Sequence, residues 1–235
     1  MRAVLAAPPP TLLVIAKEPL PGRVKTRLTP FCSPEQAAAL AEAALRDTLM
    51  LLDTVPAGMR VLVLEGEPGP WLPAGWHTVP QGGAGLDERL AAALGHAPPH
   101  APALLVGMDT PQLAAGMLAG PLSPAVRGEV DAWFGPATDG GFWALGLAAP
   151  SPRLAGRILR GVPMSTADTG RIVLQRLETA GLRVHRLPEL TDVDTPADAR
   201  AVAALAPHTH FARTWHSTER TDRAPRAPAG RATRE

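Results

Sequence analysis

Residues 12–28 read LLVIAKEPLPGRVKTRL and join two stretches of opposite character. The first five residues form a continuous apolar run, which is typical of a central parallel strand buried on both faces. The next twelve residues contain four basic side chains and two prolines, and they predict a polar loop leaving the carboxyl end of that strand. In open α/β sheets, ligands bind beyond these strand ends. The stretch therefore predicts an α/β fold with a ligand-facing loop.

Strand and helix patterns alternate along the rest of the chain. The sequence SPEQ at 33–36 has capping-box spacing with proline at the first helical position, and it predicts a helix that runs to about residue 53. Apolar runs and helical periodicity predict strands at 61–64, 103–108, 130–135, 142–147 and 183–187, and helices at 86–94, 111–118, 153–160, 169–180 and 195–205. This alternation predicts a three-layer α/β/α sandwich around a mostly parallel sheet.

The composition bounds the number of domains and the classes of partner. The 235 residues suffice for one well-buried α/β domain, which we place at 1–206. Residues 213–235 carry six arginines and three acids without apolar periodicity, so we predict a disordered basic tail over 207–235. A formal net charge of +1 gives no general attraction to nucleic acid or membranes. One cysteine, a short N-terminal apolar stretch and no apolar run of about 20 residues predict a soluble cytoplasmic protein.

The loop at 17–28 holds the only two lysines among the 23 basic residues of the chain. An ammonium is a compact point charge and a guanidinium is a planar fork, so a site for a polyphosphate can use both. Gly22 permits an unusual backbone conformation or a close approach to a ligand. A solvated basic loop is the alternative. The phosphate-binding residues predicted here are Lys17, Gly22, Arg23, Lys25 and Arg27.

Two acidic motifs are predicted to lie at the same edge of the sheet. GMDTP puts Asp109 at the tip of the third strand, where a carboxylate could hold Mg²⁺ (or Mn²⁺) against phosphate oxygens. The alternative for this residue is a helix N-cap. DVDTP precedes the last helix, and its acids Asp192 and Asp194 would point to the same side of an extended segment. Asp194 or Thr195 would cap that helix, and which acid faces a metal stays open.

Three further segments are candidates for substrate contacts. Asp139, Gly140 and Gly141 fit either a turn that approaches a ligand or a simple hairpin turn. Ser165 and Thr166 lie before a predicted helix and form either a second substrate loop or an N-cap region. The glycine-rich segment that begins at Gln81 would contact a base or phosphate, or is an ordinary loop.

Four motifs in order resemble those of one family: A-K-x-P-x-x-G-x-V-K-T-R-L, G-x-D-x-P, D-G-G-F-W-A-x-G-L and T-D-V-D-T-P. Over residues 11–204 the chain resembles the radical-SAM/selenodomain-associated transferases. That GT-A-fold family is similar to molybdenum-cofactor guanylyltransferase and phospholactate guanylyltransferase. The chain lacks the opening L-A-G-G-x-S-x-R-M-G of the molybdenum-cofactor enzymes, so base recognition by that loop does not transfer.

The resemblance implies a nucleotide-diphospho-sugar transferase fold and a role for each matching residue. The loop cations would bind phosphate, Asp109 and Asp194 would hold the metal with Asp192 as a substitute, and Asp139 with its two glycines would face the acceptor. The leading hypothesis is metal-dependent nucleotidyl transfer from a nucleoside triphosphate to a small acceptor that is phosphorylated or otherwise nucleophilic. Its proposed catalytic residues are Lys25, Asp109 and Arg23. Glycosyl transfer from a nucleotide-sugar is the second hypothesis, and a non-catalytic nucleotide-binding module is the third.

Overall fold

The computed structural model describes residues 8–29 and 31–223, which form seven β-strands and eight α-helices. The strands are β1 Thr11–Lys17, β2 Met59–Glu65, β3 His77–Pro80, β4 Ala103–Gly107, β5 Ala132–Pro136, β6 Phe142–Leu147 and β7 Val184–Arg186. The helices are α1 Pro34–Asp53, α2 Leu86–Leu94, α3 Ala115–Ala119, α4 Pro124–Arg127, α5 Pro152–Leu159, α6 Thr169–Thr179, α7 Pro196–Leu205 and α8 His210–Arg223. None of the helices in these residues is long and apolar enough to span a bilayer.

The seven strands form one sheet in the order β3-β2-β1-β4-β6-β5-β7. Strand β6 runs antiparallel to both of its neighbours, and the other strand pairs are parallel. Helices cover both faces, so the predicted three-layer sandwich with a mostly parallel sheet is confirmed. The chain places β2 on one side of β1 and β4 on the other, which makes the crevice between β1 and β4 a topological switch point.

Burial of both faces explains the continuous apolar run of β1. Leu12 and Val14 join a core that includes α1, whereas Leu13 joins a second core that includes α2, α5 and α6. Successive side chains of a strand point to opposite faces, so a strand between two helical layers has no solvent face. Its carboxyl end is consequently the first point at which this segment can carry polar groups.

Local signals place α1 as predicted. Ser33 accepts a hydrogen bond from the Gln36 backbone N–H, and the Gln36 side chain accepts one from the Ser33 N–H, which completes the capping box.

The helix predicted at 111–118 is reduced to the five residues of α3, whose N-cap is Ala114. Asp109 therefore does not cap a helix. Strand β3 was not predicted, because its side chains are mostly exposed and show no apolar run.

The disorder predicted from residue 207 onward is wrong for residues 210–223, which form α8. Phe211 and Trp215 of this helix are fully buried in a third core with α1 and α7, and Trp215 stacks on Phe31. Two carboxylate oxygens of Asp47 accept the backbone N–H groups of residues 210 and 211 and so cap the helix from α1. Two large apolar side chains at helical spacing are thus enough to hold this segment against the domain, although its average composition is polar. Residues 224–235 of the predicted tail lie outside the described residues.

We expect Trp215→Ala to lower the free energy of unfolding by about 3–5 kcal/mol, because it removes a fully buried aromatic side chain. Urea denaturation of the full chain measures this change. His216→Ala is the matched control, since the neighbouring His216 side chain is half exposed and surface substitutions stay within about 0.5 kcal/mol. Equal effects of the two substitutions would show that α8 does not pack on the domain.

Candidate functional site

A cleft of about 500 Å³ opens beyond the carboxyl ends of β1 and β4, at the switch point of the sheet. Its walls come from the loop after β1, the start of α2, the end of β4, the β5–β6 turn, the segment before α6 and the segment before α7. The sequence-predicted residues that line it are Lys17, Arg23, Lys25, Arg27, Gln81, Asp109, Asp139, Gly141, Ser165, Thr166, Asp192 and Asp194. The fold therefore brings six separate stretches of sequence to one cleft.

Lys25 lies at the centre of the cleft and is the most tightly held of the loop cations. Its side chain is only 7% exposed, and its Nζ lies 2.7 Å from Asp109 Oδ1 and 3.5 Å from Asp194 Oδ1. The same ammonium donates a hydrogen bond to the carbonyl oxygen of Val193. The backbone of Lys25 is left-handed, with φ 48° and ψ 34°, which costs about 1–2 kcal/mol for a residue with a Cβ. The ion pairs stabilise this conformation against that cost.

The other loop cations remain accessible. Arg27 donates to Asp194 Oδ2 at 2.8 Å while its side chain is mostly exposed. Lys17 lies 3.7 Å from Glu65 and is also exposed. Arg23 lines the cleft and forms no ion pair within residues 8–29 and 31–223. These guanidinium and ammonium groups can therefore turn toward a polyanion without breaking a buried contact.

Gly22 serves the loop through its backbone angle and not through close packing. Its φ is +73°, a region that favours glycine, and a Cβ built there would meet no atom within 4 Å. The turn conformation that the sequence suggested for glycine at this position is therefore present, and a close approach to a ligand stays a prediction.

Backbone contacts join the acidic segments. The Val193 N–H donates to Asp109 O at 3.0 Å, and Gln112 Nε2 donates to Thr191 O at 2.7 Å. The Thr138 N–H donates to Leu190 O, also at 3.0 Å. The residues after β4, after β5 and before α7 are thereby held side by side, which brings Asp109, Asp139, Asp192 and Asp194 together.

Asp192 shows the electrostatic effect of this convergence. Burial and the neighbouring Asp109, Asp139 and Asp194 carboxylates raise its pKa to about 7, and the positive charge of Lys25 opposes that shift. Burial is the largest of these causes. The Asp192 carboxylate thus lies where burial and three neighbouring carboxylates disfavour its negative charge.

Thr195 resolves the alternative left open for the start of the last helix. It forms a capping box with Asp198, in which each side chain accepts the backbone N–H of the other residue. Because Thr195 provides the cap, the Asp194 carboxylate is available to pair with Lys25 and Arg27. Asp194, and not Asp192, therefore shares the ammonium with Asp109.

The two glycines after Asp139 serve packing. Gly140 has φ +87°, and a Cβ there would lie 2.1 Å from the carbonyl oxygen of Ala167. The Gly170 N–H donates to Gly140 O at 2.8 Å, so this turn and the segment before α6 meet backbone to backbone. Asp139 Oδ1 accepts the Gly141 N–H at 2.8 Å and fixes the carboxylate at the cleft. Gly140 itself has a structural position behind the cleft wall.

The segment before α6 presents hydroxyl groups to the cleft. Ser165 has φ +58°, an uncommon backbone conformation for a residue with a Cβ, and it lines the cleft together with Thr166. The Thr166 N–H donates to Thr169 Oγ1 at 3.1 Å, which holds the segment against the first turn of α6. The segment thus forms part of the cleft wall, and its contact with a substrate stays a prediction.

The Gln81 side chain is engaged in the fold. Its Nε2 donates to Ala16 O at 2.7 Å, and its Oε1 lies 3.5 Å from Arg89. Arg89 also pairs with Glu65 and lines the cleft beside Gln81. Sequence reasoning missed Arg89 because it is one charged residue on an amphipathic helix, and only the helix orientation directs it to the cleft.

The acids of the site fit a divalent cation in their chemistry but not in their present spacing. Among residues 8–29 and 31–223, no three acidic, histidine or cysteine side chains converge tightly enough to form a metal site. Asp109 and Asp194 nevertheless face a single cation, the Lys25 ammonium. The buried Asp109 Oδ1 accepts no well-aligned hydrogen bond and is compensated by ion pairing alone. Mg²⁺ commonly uses one or two carboxylates with water and phosphate, so this pair suits it if Lys25 withdraws.

The chain belongs to the family DUF2064, described as uncharacterized protein conserved in bacteria, whose model matches residues 35–166. No curated protein is significantly similar to it in sequence. It is similar in structure to a protein from Desulfovibrio desulfuricans G20 that is provisionally described as a nucleotide-diphospho-sugar transferase. The TM-score is 0.74 and the identity 24%, with 90% of this chain and 97% of that chain covered.

Two more distant structures share the fold with TM-scores of 0.51 and 11% identity. One is CMP:2-keto-3-deoxy-manno-octonic acid synthetase in complex with CTP, with 84% of this chain and 98% of that chain covered. The other is a cytidylyltransferase from Leptospira borgpetersenii, with 91% and 95% covered. These similarities confirm the predicted fold. Membership of the radical-SAM-associated family stays a prediction.

Asp192 gives the folded protein a defined pH dependence in the absence of divalent metal. Its pKa is about 7 in the folded chain against an ordinary value of 3.8, so between these values the folded state binds the proton more tightly than the unfolded state. The free energy of unfolding should therefore fall as the pH rises through this interval, and the loss is complete above it. Asp192→Asn should remove this loss, on the order of a few kcal/mol.

Urea denaturation in EDTA at several pH values across that interval measures the difference between the two proteins. The Asn variant should gain stability relative to the wild type as the pH increases. Asp168→Asn is the control, because Asp168 is well exposed. Parallel curves for wild type and Asp192→Asn would contradict the raised pKa.

Proposed function

We propose, on the premise of this fold, that the protein is a nucleotidyltransferase that uses a nucleoside triphosphate and a small acceptor. The observation that carries the proposal is the Lys25 ammonium, buried between Asp109 and Asp194 at the switch point of the sheet. Accessible cations surround it on the same loop. This arrangement supports binding of a polyphosphate together with a metal ion at one place.

The charges of the loop favour a triphosphate. Arg23, Lys17 and Arg27 offer two planar forks and one mobile ammonium at the mouth of the cleft. Charge-assisted hydrogen bonds from such groups to phosphate are about twice as strong as neutral ones. The synthetase that shares this fold is in complex with CTP. It is a precedent for the binding of a nucleoside triphosphate by a protein of this fold. The base remains unassigned.

The residues of the chain would act mainly by position and charge. A nucleophile of the acceptor attacks the α-phosphorus, the bond to the bridging oxygen of the β-phosphate breaks, and pyrophosphate leaves. Arg23 and Lys25 would stabilise the charge that develops on the phosphates. Asp109 and Asp194 would hold Mg²⁺ or Mn²⁺, which supplies further charge neutralisation when bound. Asp192 lies near this pair, and burial together with the neighbouring carboxylates raises its pKa.

We expect Arg23→Ala to weaken triphosphate binding by roughly 10- to 100-fold, because a charge-assisted contact contributes about 1.5–3 kcal/mol. Thermal shift and calorimetric titration with each of the four nucleoside triphosphates and Mg²⁺ measure the affinity. Arg153→Ala is the control, since Arg153 is exposed on α5 outside the cleft.

Product analysis separates the functions that share this fold. Mass spectrometry after addition of an acceptor should show a nucleotidyl adduct and pyrophosphate. If only nucleotide-sugars stabilise the protein and a nucleoside diphosphate is released, the function is glycosyl transfer and not nucleotidyl transfer. Binding of triphosphate with no turnover of any acceptor would indicate a nucleotide-binding module.

A metal ion and Lys25 should compete for the same two carboxylates. Lys25→Met removes the ammonium while keeping a long side chain, so Mn²⁺ should bind the nucleotide-free variant at least about tenfold more tightly, an effect of about 1.4 kcal/mol or more. Electron paramagnetic resonance of free Mn²⁺ during a titration measures this affinity.

Lys17→Met is the matched control for the metal titration, because it replaces the other lysine of the chain, which lies near Glu65. Its Mn²⁺ affinity should equal that of the wild type. An unchanged or weaker affinity of Lys25→Met would place the metal away from Asp109 and Asp194.

A further inference from the structure

The charges that line the cleft are divided between its two halves. The basic residues all belong to the loop after β1 and to α2: Lys17, Arg23, Lys25, Arg27 and Arg89. The other half is formed by the β5–β6 turn, the segment before α6 and the segment before α7. Within the described lining residues, that half contributes no lysine or arginine and three acids, Asp139, Asp192 and Asp194, of which Asp194 pairs with Lys25 and Arg27 of the loop.

Neighbouring arginines do not supply a cation to this acidic half. Arg171 pairs with Asp168 at 3.0 Å and is mostly exposed. Arg186 lies near Glu178 and is exposed as well. Both guanidinium groups are thus engaged outside the cleft, and neither lines it.

The first turn of α6 is the other feature of this half that could attract an anion, because unpaired N–H groups at a helix start bind phosphate. Here the first two N–H groups are already used. The Thr169 N–H donates to Thr166 O at 3.1 Å, and the Gly170 N–H donates to Gly140 O at 2.8 Å. The close backbone packing at Gly140 and Gly170 leaves no room for a ligand between these segments.

The polar groups that do face this half accept hydrogen bonds. Asp139 has one oxygen engaged with the Gly141 N–H, and the residue forms no ion pair within the described chain. Ser165 and Thr166 add hydroxyl groups, which can donate or accept. A phosphate brought beside Asp139 would face a carboxylate that has no ion-pair partner in the described chain, with the Asp192 carboxylate nearby, whereas a hydroxyl or ammonium group would find acceptors.

We infer that the acceptor is an unphosphorylated small molecule that presents hydroxyl or amino groups to Asp139 and the hydroxyls of residues 165–166. This inference rests on the proposed nucleotidyl transfer, and it departs from the phosphorylated acceptor that the sequence suggested. The acceptor oxygen or nitrogen forms the new bond to the α-phosphorus. Pyrophosphate leaves with the electrons of the broken bond, and the proton of the nucleophile passes to water.

Inorganic phosphate is a direct probe of the charge preference. The full-length protein is first saturated with the triphosphate that stabilises it and with Mg²⁺, and phosphate is then titrated by calorimetry. The wild type should show no binding, and Asp139→Lys should bind phosphate at least tenfold more tightly. Phosphate binding by the nucleotide-loaded wild type, equal to that of the variant, would overturn the inference.

Two further variants separate charge from folding. Asp139→Asn keeps the side-chain oxygen that accepts the Gly141 N–H, so the turn is preserved while the charge is lost, and phosphate affinity should be intermediate. Glu178→Lys makes the same charge reversal on the exposed surface of α6 and should leave phosphate binding as in the wild type. Equal phosphate affinity of all four proteins would contradict a role of Asp139.

The acceptor itself can be located by its charge. A small-molecule extract is divided by anion exchange into unretained and retained fractions, and each is tested for pyrophosphate release with protein, triphosphate and Mg²⁺. Activity in the unretained fraction supports the inference, and activity only in the retained, anionic fraction overturns it. Triphosphate binding without pyrophosphate release from either fraction counts against nucleotidyl transfer itself, and the phosphate titration then still decides the charge preference of the cleft.

Discussion

The candidate site depends on the ion pairs that the buried Lys25 ammonium forms with Asp109 and Asp194. Asp109 and Asp194 come from segments far apart in the sequence, their like charges would repel each other, and Lys25 compensates both. The same ammonium bonds to Val193 O, whose residue in turn donates its N–H to Asp109 O. One positive charge thereby joins the loop after β1 to the segments after β4 and before α7.

The arrangement of strands determines why these segments can meet at all. Because β1 lies between β2 and β4, the loop after β1 and the end of β4 border the same crevice. The antiparallel strand β6 then brings the Asp139 turn to this edge. The cleft consequently has a basic side on the β1 loop and an acidic side over β6 and α6, and this division is the basis for assigning different chemistry to its two ligands.

Much of the fold could be predicted from the sequence, because the signals are local. The apolar run of β1, the capping box of α1 and the bounds of α2 all follow from residues close in sequence. Helix α8 could not be predicted from composition, since its stability comes from Phe211 and Trp215 packed on α1 and from the Asp47 carboxylate. The role of Gln81 could not be predicted from local sequence either. Its side-chain amide donates a hydrogen bond to the Ala16 carbonyl of β1 and is therefore engaged within the fold.

The sequence by itself determined which chemical groups the site contains: two lysines in one loop, acids at predicted strand and helix ends, and glycines where the backbone turns. Tertiary structure alone decided how those groups pair. Lys25 and Val193 are 168 positions apart, and no local periodicity or spacing encodes a contact at that separation. That Asp194 shares the ammonium and that the half of the cleft over β6 and α6 is lined by no lysine or arginine of the described chain depend on which surfaces the sheet brings together. Electrostatic pairing acts through space, whereas sequence patterns report neighbours along the chain.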